Sequence, residues 1–264
     1  EKSGGAPGAV SGPAHLVSCT FVSNAAIPSY FGTEEAGSVY GATMDSCIVV
    51  DSVGGVVGDV TAEWSLIEDG WPGVGNFDLD PLLADPYGGD FSLLPHSPCI
   101  DRGNPSLPAD PDGSRRDMGA EPWVWEQVSA SYCESNPNST GSTAVCRVTG
   151  FTSVDTNFVR LVADFLPHDQ TGFFLTSRTQ GFVPLFAGLQ GNLCLGEPIV
   201  RLDGPGQVLD SGSSGSASLE LSLTLLHGGE SVLAGETWHY QYWYRDNDPM
   251  PTANTTGGVL VGFD

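Results

Sequence analysis

Oxygen ligands at alternating positions are the first chemistry this chain offers. In Asp110-Pro111-Asp112-Gly113-Ser114-Arg115-Arg116-Asp117, the carboxylates of Asp110, Asp112 and Asp117 surround a glycine, and calcium gathers several such oxygens from flexible loops. The stretch lacks the bidentate glutamate and the length of an EF-hand loop, and Arg115 and Arg116 would neutralise its acids. Two readings stay open here. One is a calcium site; the other is a turn held by Asp–Arg pairs and backbone amides.

Other candidate chemistry is sparser. A uronate lyase needs an arginine or lysine base beside acidic metal ligands. Through residue 122 the cations are Lys2, Arg102, Arg115 and Arg116, and the arginines are expected away from the lateral face where a polymer would lie. A glycosidase needs two carboxylates aimed across a groove. Asp78, Asp80, Asp85 and Asp90 are available, but each sits in a Gly/Pro corner where aspartate caps turns. His15, His96, His168, His227 and His239 are too scattered for zinc, and Gly212-Ser213-Ser214-Gly215 reads as a loop, not a phosphate cradle. Trp238, Tyr240, Tyr242 and Tyr244 alternate along a strand-like run. They would either stack on sugar rings or fill a core, and core is the commoner role for alternating aromatics. The chain therefore reads as non-catalytic, with no cofactor required and calcium left open.

The charge balance narrows the partners. With 32 acidic residues against 9 basic, a net charge of -23 and Lys2 as the sole lysine, the chain repels phosphate backbones and anionic lipid. Six cysteines fit an oxidising, extracellular or cell-surface setting. No stretch is long and apolar enough for a membrane-spanning helix, and Glu1 suggests a chain that begins downstream of processing. The length suffices for two cores. Gly 35 and Pro 19 beside 40% hydrophobic residues indicate many turns between short strands, and no window carries a helical apolar period.

Those strands must position whatever chemistry there is. Residues 1–13 are Gly/Pro/Ala-rich and form no stable helix. From His15 onward, residues 15–21 and 42–48 align when Cys19 is matched to Cys47, and residues 62–67 put Ser65 at the same place. Irregular spacing between the runs is expected of coils with insertions in their corners. In that register Cys19 and Cys47 occupy adjacent rungs, either as a disulfide or as two buried thiols. Phe77, Leu79, Leu82, Leu83, Leu93, Leu94 and Ile100 are expected to complete this core. After Tyr132, β-runs at 158–163, 172–177, 191–195, 219–225, 237–244 and 258–263 alternate with Gly/Ser/Asn turns, the spacing of an antiparallel sandwich.

Residues 89–122, GDFSLLPHSPCIDRGNPSLPADPDGSRRDMGAEP, resemble the closing segment of a family of secreted bacterial right-handed parallel β-helix proteins, of planctomycete and deltaproteobacterial type. That segment reads GDF-x-L, SPCID-x-G-x-P and DPDGSR-x-D-x-GA. Residues 67–83, with Trp71-Pro72-Gly73, Gly75-Asn76 and Asp80-Pro81-Leu82, resemble the stretch before it. Residues 130–264 are similar to C-terminal modules of such proteins through Tyr132-Cys133, Gly172-Phe173-Phe174, Gly191-Asn192-Leu193-Cys194-Leu195-Gly196 and residues 234–246. The resemblance implies a Cys133–Cys194 disulfide, with Cys133–Cys146 as competitor.

The expected fold is all-β: about four coils of a short right-handed parallel β-helix and its closing segment in residues 1–125, then an antiparallel β-sandwich in residues 126–264. A solenoid needs both ends covered, and residues 1–13 supply no capping helix. Either further coils precede Glu1 or another subunit covers that end, and head-to-tail self-association, giving a filament, is the expectation adopted. The expected function is structural, in adhesion, scaffolding or such an assembly. The alternative is the carbohydrate-binding portion of a polysaccharide-degrading protein.

Overall fold

The computed structural model describes residues 9–24, 38–52, 56–57, 59–226, 229–247 and 251–264; Lys2, His227 and most of the N-terminal tail lie outside them. The described residues are all-β, without an α-helix. The chain divides into two compact units, Glu1–Val124 and Trp125–Asp264.

In the first unit the chain passes three times through the same three strand positions. The first pass contributes β1 (Val10–Ser11), β2 (His15–Val17) and β3 (Thr20–Val22). The second contributes β4 (Val39–Tyr40), β5 (Thr43–Asp45) and β6 (Ile48–Val50). The third contributes β7 (Val56–Val57), β8 (Thr61–Glu63) and β9 (Leu66–Ile67). Equivalent strands pair in parallel to form three sheets, β1-β4-β7, β2-β5-β8 and β3-β6-β9.

Side-chain alternation explains the register. Leu16, Met44 and Ala62 lie opposite one another and point inward, while His15, Thr43 and Thr61 point outward. The bends recur at fixed points because single residues there adopt left-handed backbone. Ser18 (φ 50), Ser46 (φ 56) and Trp64 (φ 50) follow β2, β5 and β8, while Ser23 (φ 52) and Asp51 (φ 51) follow β3 and β6. Val39, Met44, Cys47, Val49, Ala62 and Ile67 form the core between them.

Below the third pass, Phe77 bridges Leu66 in parallel, and Asn76 Oδ1 accepts the Ser65 N–H at 2.9 Å. The chain then leaves the stack. β10 (Leu83–Asp85) and β11 (Asp90–Leu93) form an antiparallel hairpin, so Asp90-Phe91-Ser92-Leu93 is not a further parallel rung. Leu79 and Leu94, expected in the core, are 58% and 41% exposed; the departure of the chain at Asp78 takes their neighbours away.

The second unit is antiparallel throughout. Its strands are β12 (Ala130–Cys133), β13 (Val145–Gly150), β14 (Val159–Asp164), β15 (Thr171–Ser177), β16 (Gln180–Val183), β17 (Leu193–Leu195), β18 (Val200–Leu202), β19 (Leu209–Asp210), β20 (Ala217–Leu221), β21 (Thr237–Asn247), β22 (Pro251–Thr255) and β23 (Gly258–Gly262). A seven-stranded sheet has the path β12-β23-β21-β15-β18, with β19 beside β15 and β22 beside β21. A three-stranded sheet runs β13-β14-β20, and β16-β17 is a separate hairpin. One core joins the two larger sheets: Val148, Leu161 and Ala217 from the smaller, Phe174, Trp238, Tyr240, Tyr242 and Val259 from the larger.

Candidate functional site

The Asp110–Asp117 loop is built as a turn. Asp110 Oδ2 accepts the Asp117 N–H at 2.7 Å, and Asp112 Oδ1 accepts the Ser114 N–H at 2.9 Å. Asp117 accepts from Asp101 N at 2.6 Å through one oxygen and from Trp123 N at 2.5 Å through the other. Burial outweighs these amide bonds and pushes the Asp117 carboxyl up to about 7; burial also raises Asp110. Among the described residues, no three His, Cys, Asp or Glu side chains gather as a metal-holding group. The corner aspartates behave in the same way. Asp80, Asp85 and Asp90 accept the N–H groups of Leu82, Gly88 and Ser92, and the Ser92 hydroxyl and amide hold Asp90 below its ordinary range.

The segment carrying this loop is a strap across all three passes, which corrects the expected position of Arg115 and Arg116. At the first pass, Arg116 Nη1 donates to Ser18 Oγ at 3.1 Å and the Ala120 N–H donates to Thr20 Oγ1 at 2.9 Å. At the second, Ser46 Oγ accepts the Asn104 N–H at 2.9 Å, Asn104 Nδ2 donates to Asp45 Oδ2 at 2.7 Å, and the Gly119 N–H donates to Ser46 O at 2.8 Å. At the third, the Arg115 guanidinium lies 4.8 Å over the Trp64 ring. Two glycines permit the approach. A Cβ on Gly103 would fall 2.8 Å from the Arg116 and Asp117 carbonyl oxygens, and one on Gly119 (φ +100) 2.8 Å from Ile48 Cδ1.

Cys19 and Cys47 form no disulfide; both are free thiols. Each instead satisfies the carbonyl two residues before it, Cys19 Sγ to Val17 O at 3.4 Å and Cys47 Sγ to Asp45 O at 3.3 Å. Ser65 does the same on the third pass, with Oγ to Glu63 O at 2.9 Å. Burial pushes the Cys47, Cys99 and Cys146 thiols up to about 12, which keeps them protonated and unreactive at neutral pH.

The aromatic strand is also not a ligand platform. Trp238, Tyr240, Tyr242 and Tyr244 are each 0% exposed. They form the inner face of β21, because the three-stranded sheet covers the side of the strand that alternation gives them. Phe174 meets Tyr242 at 4.6 Å between ring centroids, and Arg178 lies 4.3 Å over the Trp238 ring.

The disulfide that forms is Cys133–Cys194, joining β12 to β17; Cys146 is free. Tyr132 Oη, on β12, donates to Cys194 O at 2.7 Å. Beneath, Gln241 Oε1 accepts the Cys194 N–H at 3.0 Å, and Gln241 Nε2 donates to Asn192 O at 2.8 Å. An open hollow of about 670 Å3 lies over this frame, between residues 132–136 and 180–182. Tyr132, Glu134, Asn136, Gln180, Phe182 and Asn192 line it. From its rim the run Phe182-Val183-Pro184-Leu185-Phe186 continues exposed, with Phe182 at 64% and Leu185 at 58%. The sequence reading placed β17 within the run at 191–195 but missed its partner β16. Its apolar run resembles a buried strand, and the signal against that was Pro184, which does not continue a ladder.

No family model, curated protein or solved structure matches this chain.

Proposed function

We propose that the chain is a non-catalytic structural protein of the cell surface or extracellular space, serving in adhesion or scaffolding. In this reading the first unit is a short right-handed parallel β-helix and the second a β-sandwich module. The observation that carries it is the strap. The acids, asparagine and arginines of the chain's most conspicuous motif tie three passes together, and their polar atoms meet backbone and side-chain partners of the same unit. Such residues serve the endurance of the scaffold. The strands β1, β2 and β3 each have one neighbour among the described residues, so a second copy adding to their outer edges gives the head-to-tail assembly this reading includes.

Two measurements test it. Light scattering and negative-stain microscopy over a wide concentration range should show association that grows with concentration, and monomers throughout would remove the assembly. A screen on uronate and neutral polymers should show no turnover. Reproducible cleavage, abolished by a single carboxylate substitution, would overturn the structural reading.

A further inference from the structure

The geometry points to a binding site for a neutral polysaccharide in the hollow between β12 and the β16–β17 hairpin. Its walls are fixed before any ligand arrives. The Cys133–Cys194 bond and the Tyr132–Cys194 hydrogen bond clamp β12 to β17. The Asn192 carbonyl is held from below by Gln241 Nε2 and by Thr255 Oγ1, both at 2.8 Å, and Asn136 Nδ2 is anchored on Gln190 O at 2.7 Å. A site held in this way loses little freedom on binding.

The lining then selects the ligand. Gln180, Asn136 and Asn192 present planar amides that donate and accept side by side, which is what a pair of neighbouring sugar hydroxyls needs. The two asparagine amides contact each other at 3.4 Å in both directions, and Asn192 Oδ1 also accepts the Leu185 N–H at 3.4 Å; all are long enough for ligand hydroxyls to replace them. Phe182, 64% exposed at the rim, supplies an aromatic ring against which the C–H side of a pyranose can pack. Glu134 is the one charged residue of the lining. On a chain of net charge -23 it disfavours uronates and sulfated glycans and leaves neutral ones.

The test uses the full chain, with titration calorimetry against neutral gluco-, xylo- and manno-oligosaccharides and against oligouronates. Binding is expected to the neutral set alone. Phe182→Ala and Gln180→Ala should each weaken it roughly tenfold, while Phe165→Ala, an aromatic 63% exposed outside this hollow, should leave it unchanged. All three positions are exposed, and circular dichroism of each variant checks that the fold persists. No heat with any neutral glycan, a preference for oligouronates, or unaltered binding by Phe182→Ala would each overturn the site. So would a Phe182→Ala variant that changes only the mass seen by light scattering, since the hairpin would then be a contact between copies. None of these outcomes depends on the polymer-cleavage screen, so this site and the structural reading fail separately.

Discussion

The two units bury their cores by different means. In the first, the strands are two to four residues long, too short to bury much by themselves, and polar side chains hold the bends: Ser65 Oγ accepts the Cys47 N–H from the pass before, Asn76 bonds Ala62 O and the Ser65 N–H, and the strap ties Ser18 and Ser46. In the second, β21 alone runs eleven residues and buries four large aromatics against the facing sheet. One unit is held by many small directional bonds, the other by a few large side chains and one covalent link. A lost hydrogen bond therefore matters most in the first unit, and a lost volume in the second.

The largest test of that contrast is Trp238→Ala. Deleting a wholly buried indole costs about 3–5 kcal/mol, read as a fall in the urea midpoint of the near-ultraviolet signal. An unchanged midpoint would mean the aromatic row is not the second unit's anchor. Next is the covalent link. Reducing Cys133–Cys194, whose partners lie 61 residues apart, costs about 2–5 kcal/mol and should loosen the walls of the hollow, visible as faster amide exchange at residues 132–136.

Asp117→Asn follows at about 1–3 kcal/mol, because one amide N–H must then face an NH2 group. It carries a pH signature as well. The folded carboxyl, pushed up to about 7 from an ordinary 3.8, binds its proton more tightly than the unfolded chain does. Its contribution is complete below the ordinary value and declines as pH rises toward 7. Thermal melts should show the wild type losing stability over that window and the variant losing less. Equal slopes would refute the assignment. The smallest effect belongs to Cys47→Ser, under about 1 kcal/mol, since Ser65 already makes the equivalent bond to Glu63 O one pass on. A large loss would show that thiol volume, not the turn bond, matters there.

Much of this was legible in the sequence. Matching Cys19 to Cys47 and Ser65 gave the parallel register, because the bend repeats and its side chain must reach the same carbonyl. Each of the six runs expected after Tyr132 overlaps an observed strand, though 219–225 shares only Leu219–Leu221 with β20 and 191–195 only Leu193–Leu195 with β17. Two of the misses share a physical source: exposure depends on what packs opposite, which local pattern does not carry. Trp238 to Tyr244 alternate whether the inner face meets a sheet or a ligand. Leu79 and Leu94 look like core until the chain turns away from the stack. Val145–Gly150 went unread as a strand because its Cys, Arg, Thr and Gly dilute the apolar alternation. The strap escaped for a different reason. That Arg116 would reach Ser18, far away in sequence, is tertiary information with no local mark.

That strap has a mechanical meaning. Load pulling the first pass off the second meets more than the backbone ladder between them, since Arg116 and Ala120 grip the first pass while Asn104 and Gly119 of the same segment grip the second. Peeling must break the strap's grips on the first pass as well as the ladder, so the two passes part less easily than the short strands alone would allow.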